Sequence, residues 1–383
     1  MKVLGLILEL NPLHNGHNYF IKKSIDEVNP DYTVAIITSS FSMRGDINVV
    51  NKFERTKNLL DLGIDVVLEL PVAYSLNNAD VFGYTTVNIL KKFKVTDLSF
   101  GVETNDLDKL MKLLTIQNSD EYNMQVANFI SKGNSYPNSC YKAINIITGD
   151  EELSYFSTLP NNTLALQYLK NIGTITPHLI SRINNQYYDE NINSTSIQSA
   201  TSLRKLLLDN EDISKYVPLK NNYINQKDAY DKLFTILKYQ ATRNIDFSKF
   251  LNCKEGIENR IINLICESSS YDELVEKAKT KRYPPNRIKR VILSIILELE
   301  SNYLDKDLYL RILGISSNGK KLVNSLNKET KKSIITSFKN LDDEIIQHEI
   351  KASKLYDIIT NQNTIIEEYK VPIKEVNNDN WYN

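Results

Sequence analysis

The sequence predicts an α/β fold, a Rossmann-like parallel sheet of βαβ units in the first half followed by a mostly α-helical second half. Three observations lead there. Short β-branched runs alternate with longer amphipathic stretches over roughly the first hundred residues. The short runs are apolar nearly throughout, as in strands covered on both faces. Beyond about Leu208 the apolar positions instead recur at three- and four-residue spacing, the period of a helix face.

In order, Val3 to Glu9, Thr33 to Thr38, Val66 to Leu70 and Leu98 to Phe100 read as buried strands. Tyr19 to Val28, Lys52 to Leu62 and Val81 to Phe93 carry helical spacing between them. This order predicts right-handed crossovers and places ligands beyond the carboxyl ends of the strands. In the second half, Ile257, Ile261, Ile262, Leu264 and Ile265 predict one helix, and Ile334, Ile335, Phe338 and Leu341 another. The polar run Asp209 to Asp212 divides the chain into residues 1–208 and 209–383.

A chain of 383 residues, 42% hydrophobic and 24% charged, can bury two cores and is too apolar for disorder. Cys140, Cys253 and Cys266 lack the close spacing of a disulfide framework or a thiolate zinc site. The apolar run at the N-terminus is interrupted by Glu9, which speaks against a signal segment, and no stretch approaches the ~20 apolar residues of a membrane span. A cytoplasmic protein without a membrane association is expected. The net charge of −1 carries no argument for nucleic acid, but its distribution does. Tyr271 to Lys339 holds fifteen Lys and Arg against eight Asp and Glu, and Leu341 to Asn383 holds four against nine.

The richest segment is the first strand and its loop, which ends in His14-Asn15-Gly16-His17. With a helix starting near Asn15, His14 and His17 lie one turn apart and face a common ligand. Helix-start N–H groups favour phosphate, Gly16 admits it close to the backbone, and the imidazoles can donate to oxygens that gain charge as pyrophosphate leaves. The alternatives for such a pair are two surface histidines or a zinc half-site. The half-site lacks a complement nearby, since the other two histidines, His178 and His348, are distant in sequence; no protein-held metal is expected.

NPLHNGHNYF resembles the HxGH signature of class I aminoacyl-tRNA synthetases and pantetheine-phosphate adenylyltransferases. Their second signature, ISSTxxR, is matched by Thr201 and Arg204 within Gln198-Ser-Ala-Thr-Ser-Leu-Arg, with departures at Gln198 and Ala200. Further segments resemble one family, the tRNA(Met) cytidine acetate ligases. Ser39 to Asp46, with Lys52 and Arg55 following, is similar to that family's basic loop. Phe100 to Glu103 is similar to its nucleotide-contacting loop, Pro160-Asn161-Asn162 to its adenine-side segment, and Ser181-Arg182-Ile183 to its second basic contact. Thr280 to Arg290 is similar to its basic stretch outside the catalytic domain, and Tyr309 to Lys320 also matches, without assignable chemistry.

The resemblance implies an HxGH nucleotidyltransferase domain over 1–208 and a helical tRNA-binding domain over 209–383. It implies catalysis by His14, His17, Thr201 and Arg204. It implies ATP contacts from Ile7, Leu8, Glu9, Leu10, Asn11, Pro12, Leu13, His14, Asn15, Gly16 and His17, with Gly101, Asn161, Asn162, Arg182 and Ile183. The cluster Lys281, Arg282, Arg287, Lys289 and Arg290, five cations in ten residues with Tyr283 interleaved, suits RNA phosphates and a stacked base. Should that cluster fail, Arg44, Lys52 and Arg55 offer the next basic surface. The implied reaction joins acetate to ATP, with Mg²⁺ on the phosphates, and passes the acetyl group to N4 of the wobble cytidine of elongator tRNA(Met), without an obligate protein partner. The alternatives are an HxGH adenylyltransferase acting on a small metabolite and a nucleotide-regulated RNA-binding protein without chemistry.

Overall fold

A computed structural model describes residues 1–103, 105–182, 197–243, 245–302 and 308–374. Strands β1 (Val3–Leu8), β2 (Tyr32–Thr38) and β3 (Val66–Leu70) alternate with helices α1 (Asn15–Val28), α2 (Lys52–Asp61), the short α3 (Val72–Ser75) and α4 (Ala79–Lys92). After β4 (Asp97–Val102) come five helices, α5 (Leu107–Gln117), α6 (Asp120–Ser131), α7 (Tyr136–Thr148), α8 (Glu151–Phe156) and α9 (Pro160–Asn171), then β5 (Thr176–Ser181) and α10 (Ala200–Leu208). The second half contains α11 (Gln226–Ala241), α12 (Ile257–Ile265), α13 (Tyr271–Ala278), α14 (Pro285–Leu297), β6 (Leu310–Ile315), α15 (Ser317–Ser325), α16 (Lys328–Lys332), β7 (Ile334–Ile335), α17 (Glu344–Thr360) and β8 (Ile373–Lys374).

The sheet order is β5-β4-β1-β2-β3-β6-β7, with β8 also on β6. Strands β1 to β5 are mutually parallel. The chain winds outward from β1 through β2 to β3, then returns to the other side for β4 and β5. That reversal leaves a crevice beyond the carboxyl ends of β1 and β4. Each strand feeds two cores because side chains alternate. Val34, Ile36, Val66 and Leu68 pack with α4 and α9, whereas Leu4, Leu6, Ala35, Ile37 and Val67 pack with α1 and α2. A third core joins α11 to α14 and α17 to the loop carrying Phe41, Ile47 and Val49.

The second half does more than form helices. Strand β6 runs antiparallel to β3, pairing Glu69 with Arg311, and so completes the sheet from beyond residue 208. The segment Tyr309 to Lys320 thereby gains a structural role. Ser316 caps α15 and bonds Asp65 at 2.7 Å, and a Cβ at Gly319 would lie 2.2 Å from the Asp65 carbonyl oxygen. Beneath β3 and β6 lies a buried charge cluster. Lys52 bonds Glu349 at 3.0 Å and Glu368 at 2.7 Å and also bonds Glu69, while Arg311 pairs with Glu69 and Glu368. Burial alone would push the Lys52 ammonium down, but the carboxylates of Glu349, Glu368 and Glu69 together hold it up.

The helix expected over Ile334 to Leu341 is a correction. Ile334 and Ile335 form β7 against Leu310 and Arg311, and Phe338 is buried in the following loop under the Arg311 guanidinium, 3.6 Å from the ring centroid. Two adjacent β-branched residues beside an open strand edge satisfy their backbone by pairing, which overrides a helical spacing of apolar residues. Among the described residues no helix is long and apolar enough to cross a membrane.

Candidate active site

A cavity of about 800 Å³ occupies the crevice. Its floor is the end of β1 from Ile7 to Asn11, its sides are Phe100 and Gly101 of β4 and Ile180 to Arg182 of β5, and α1 and α10 point their N-termini into it.

His14 is the N-cap of α1. Its Nδ1 accepts the His17 N–H at 3.3 Å, and the Nδ1 of His17 accepts the His14 N–H at 3.4 Å, a reciprocal capping box built from two imidazoles. Because both Nδ1 atoms accept, the neutral rings carry their protons on Nε2. The ring centroids lie 3.8 Å apart with the planes tilted by 36°, and both residues line the cavity. Burial, with the Arg182 charge, pushes His14 down to about 4; burial, His14 and Arg182 hold His17 well below the ordinary imidazole range. Both are therefore neutral donors near pH 7. Gly16 is required by the cap itself, since a Cβ there would stand 2.9 Å from the His14 ring.

Residues 198–204 are both a helix cap and a wall of the cavity. Ser199 caps α10 through the Ser202 N–H, while Thr201 and Arg204 line the opening. The Arg204 guanidinium donates to the Asn11 carbonyl at 2.8 Å, approaches Thr201 Oγ1 at 3.4 Å and pairs with Asp46 at 3.5 Å. Two helix starts with exposed N–H groups, two imidazole donors and a guanidinium suit a chain of phosphates.

Of the other expected nucleotide contacts, Ile7, Leu8, Glu9, Leu10, Asn11, Gly101, Asn161 and Arg182 line the cavity. Pro12, Leu13, Asn15 and Asn162 are not on its wall. Leu13 is in the core under α1, and the Asn15 amide reaches the Lys215 carbonyl. Asn161-Asn162 is the first turn of α9 rather than a plain turn. Its N–H groups donate to Glu103 at 2.9 Å each, which leaves Asn162 wholly buried and Asn161 facing inward. Ile183 lies outside the described residues.

The loop after β2 corrects another expectation. Lys52 and Arg55 are 2% and 0% exposed and form no basic surface. Arg55 donates to the carbonyls of Val50, Glu9, Thr38 and Ser39, bracing the loops after β1 and β2 together. Arg44 is exposed at the cavity rim. Asp46, quoted within the loop but given no role by the sequence, bonds Lys289 at 2.7 Å and Arg204 at 3.5 Å. Phe82 and Tyr168 also line the cavity; their helical spacing is that of ordinary core residues and offered no signal.

The basic cluster lies against this loop. Gly45, at φ 80°, meets the start of α14 so closely that a Cβ would stand 2.7 Å from Lys289 Cβ. Lys281 and Arg282 are exposed, Arg282 and Arg287 share Glu255 at 3.2 and 3.0 Å, and Lys289 is engaged by Asp46. Arg290 donates to the Met43 carbonyl, and burial pushes it down to about 10. Tyr283 does not offer the stacking face expected of it. Its ring is 9% exposed with the Arg287 guanidinium 5.2 Å from its centroid, and its hydroxyl bonds the Glu255 carbonyl.

Fold and cavity together define an α/β protein with a donor-lined cavity at the switch point of a parallel sheet. Residues 1–370 match the family described as HIGH Nucleotidyl Transferase. The chain is 33% identical over 381 residues to the tRNA(Met) cytidine acetate ligase of Caldicellulosiruptor saccharolyticus, covering 93% of this chain and 94% of that one. It is 34% identical over 382 residues to the protein of the same name from Oceanobacillus iheyensis, covering 93% and 94%. A crystal structure of Thermotoga maritima TmcAL bound with alpha-thio ATP is similar with a TM-score of 0.83 at 27% identity, over 98% of this chain and 99% of that one. The chain belongs to the HIGH nucleotidyl transferase family and, within it, to the tRNA(Met) cytidine acetate ligases.

Proposed function

We propose that this protein joins acetate to ATP, releasing pyrophosphate, and transfers the acetyl group from the resulting acetyl-adenylate to N4 of the wobble cytidine of elongator tRNA(Met). The observation that carries this reading is the convergence of the α1 and α10 N-termini, with both imidazoles, on one cavity in a chain so similar to named ligases of this activity.

Acetate is itself the nucleophile, so the first step calls for a charge clamp and alignment rather than an enzyme nucleophile. His14 and His17 donate to the phosphate oxygens that gain charge, Thr201 and the α10 N–H groups hold the leaving pyrophosphate, and Arg204 neutralises it. Gly101, Asn161 and Arg182 border the space for the nucleoside; a Cβ at Gly101 would meet nothing closer than 3.8 Å, so the backbone there can approach a ligand. Among the described residues no cluster of three or more His, Cys, Asp or Glu side chains is built to hold a metal. A Mg²⁺ ion brought by the nucleotide would lower the charge of the phosphates.

We assign residues 1–208 to adenylation and the region from 209 to tRNA binding, with Lys281, Arg282 and Arg287 presented to phosphates. The reaction takes place in the cytoplasm and needs no second protein. The test is mass spectrometry of purified tRNA(Met) after incubation with ATP and isotopically labelled acetate. One labelled acetyl group on the wobble cytidine is expected. Acetate-independent ATP turnover, or no label on RNA, refutes the reading.

A further inference from the structure

The cavity wall includes a carboxylate that phosphate binding does not explain. The end of β1 and the residues after it line the cavity from Ile7 to Asn11, and Glu9 is the acidic side chain among them. Glu9 Oε1 accepts the Met43 N–H at 2.6 Å, which leaves Oε2 of this half-buried, cavity-lining side chain for another partner. Arg44 and Asp46 face it from the loop after β2, Arg204 from α10 and Tyr168 from α9, and the Arg55 guanidinium of α2 bonds its backbone carbonyl. An anion here repels a polyanionic nucleotide, so it serves some other step.

Resting on the reaction proposed above, we infer that Glu9 is the general base of acetyl transfer. Acetate is already ionised and needs no base to attack ATP. The exocyclic N4 of cytidine does, because its lone pair is delocalised into the ring and bond formation leaves positive charge on a nitrogen bearing two hydrogens. As N4 bonds the acyl carbon, the bond from that carbon to the phosphate oxygen breaks with its electron pair leaving on AMP, and one N4 proton passes to Glu9 Oε2. Other groups in the cavity are committed elsewhere. His14 and His17 hold their only free nitrogens as N–H donors, and Asp46 is paired with Lys289 and Arg204. Burial raises the Glu9 carboxyl against the opposing pull of the Met43 N–H and Arg44, which brings it nearer the working pH of a base.

Single-turnover transfer to tRNA(Met), with acetyl-adenylate formed in place, tests this against acetate-dependent ATP–pyrophosphate exchange. Glu9→Gln, which keeps an acceptor for the Met43 N–H, is expected to slow transfer by about 10²–10⁴, at least tenfold beyond any loss in exchange. The wild-type transfer rate should fall as pH drops through the carboxyl's ionisation, and this limb should vanish in Glu9→Gln and persist in Glu9→Asp at a reduced rate. Transfer by Glu9→Gln within threefold of wild type overturns the assignment. So does an equal loss of exchange and transfer, which marks a binding residue. If the Gln variant does not fold, a wild-type transfer rate with no acidic limb overturns it alone. Absence of acetate-dependent exchange in the wild type is the separate failure of the reaction itself.

Discussion

Replacing His14 by Asn separates its two roles, because Asn keeps an N-cap acceptor for the His17 N–H but has no Nε2–H to offer a phosphate. The expected loss in acetate-dependent exchange is about 10²–10³, equivalent to ~2.7–4 kcal/mol for one donor aimed at developing charge. Stability supplies an independent reading. His14 titrates near 4 in the fold against 6.5 when free, so between those values the unfolded chain binds a proton that the native chain refuses. Stability therefore falls as pH drops below about 6.5, and at pH 5 this one group removes about 2 kcal/mol. His17 acts in the same direction. Denaturant unfolding at pH 7.5 and pH 5 should show the wild type losing about 2 kcal/mol more than His14→Asn between the two conditions. Equal losses would mean that the imidazole is not held neutral in the fold, and wild-type exchange in the variant would remove the ring from the chemistry.

Arg204→Ala is expected to weaken ATP binding by about 10- to 100-fold, in the range of a charge-assisted hydrogen bond, and Thr201→Ala by less; calorimetry showing unchanged affinity in both would reduce the α10 start to a cap. Neutralising Lys281, Arg282 and Arg287 together, and leaving the half-buried Arg290 alone, should weaken tRNA binding and flatten its salt dependence by up to about 0.9 per lost phosphate contact, while exchange without tRNA persists. A folded triple variant with the wild-type salt slope contradicts the assignment. Lys289→Met strands Asp46 beside Arg204 and should raise KM for ATP several-fold although Lys289 does not line the cavity, an interaction of about 1–3 kcal/mol for a pair between the surface and buried cases. An unchanged KM would show that Asp46 holds Arg204 unaided.

The parallel sheet was legible because its strands are short, β-branched and apolar on both faces, and the place of the cavity because His14 and His17 follow the first of them at helical spacing. What stayed hidden depends on distant partners. The sequence marks Lys52 and Arg55 as cations but not that their partners are three carboxylates and four carbonyls drawn from across the fold. Asn162 looks like Asn161 until Glu103 caps the helix start and turns one inward and one away. Ile334 and Ile335 read as a helix face because the strand edge that claims them is supplied by Leu310 and Arg311.

The antiparallel strand that closes the sheet also imposes an order on synthesis. Glu69 waits 242 residues for Arg311, and through that interval the outer edge of β3 emerges from the ribosome with bare backbone donors and acceptors. Lys52 and Glu69 likewise sit in a half-built interior until Arg311, Glu349 and Glu368 have been made. A fragment ending at residue 208 would keep every residue of the cavity wall, Ile7 to Arg204, yet carry a sticky edge and a misplaced buried charge. Folding of this cavity therefore draws on residues beyond 208, and the half that exposes Lys281 and Arg282 is also the half that closes the sheet.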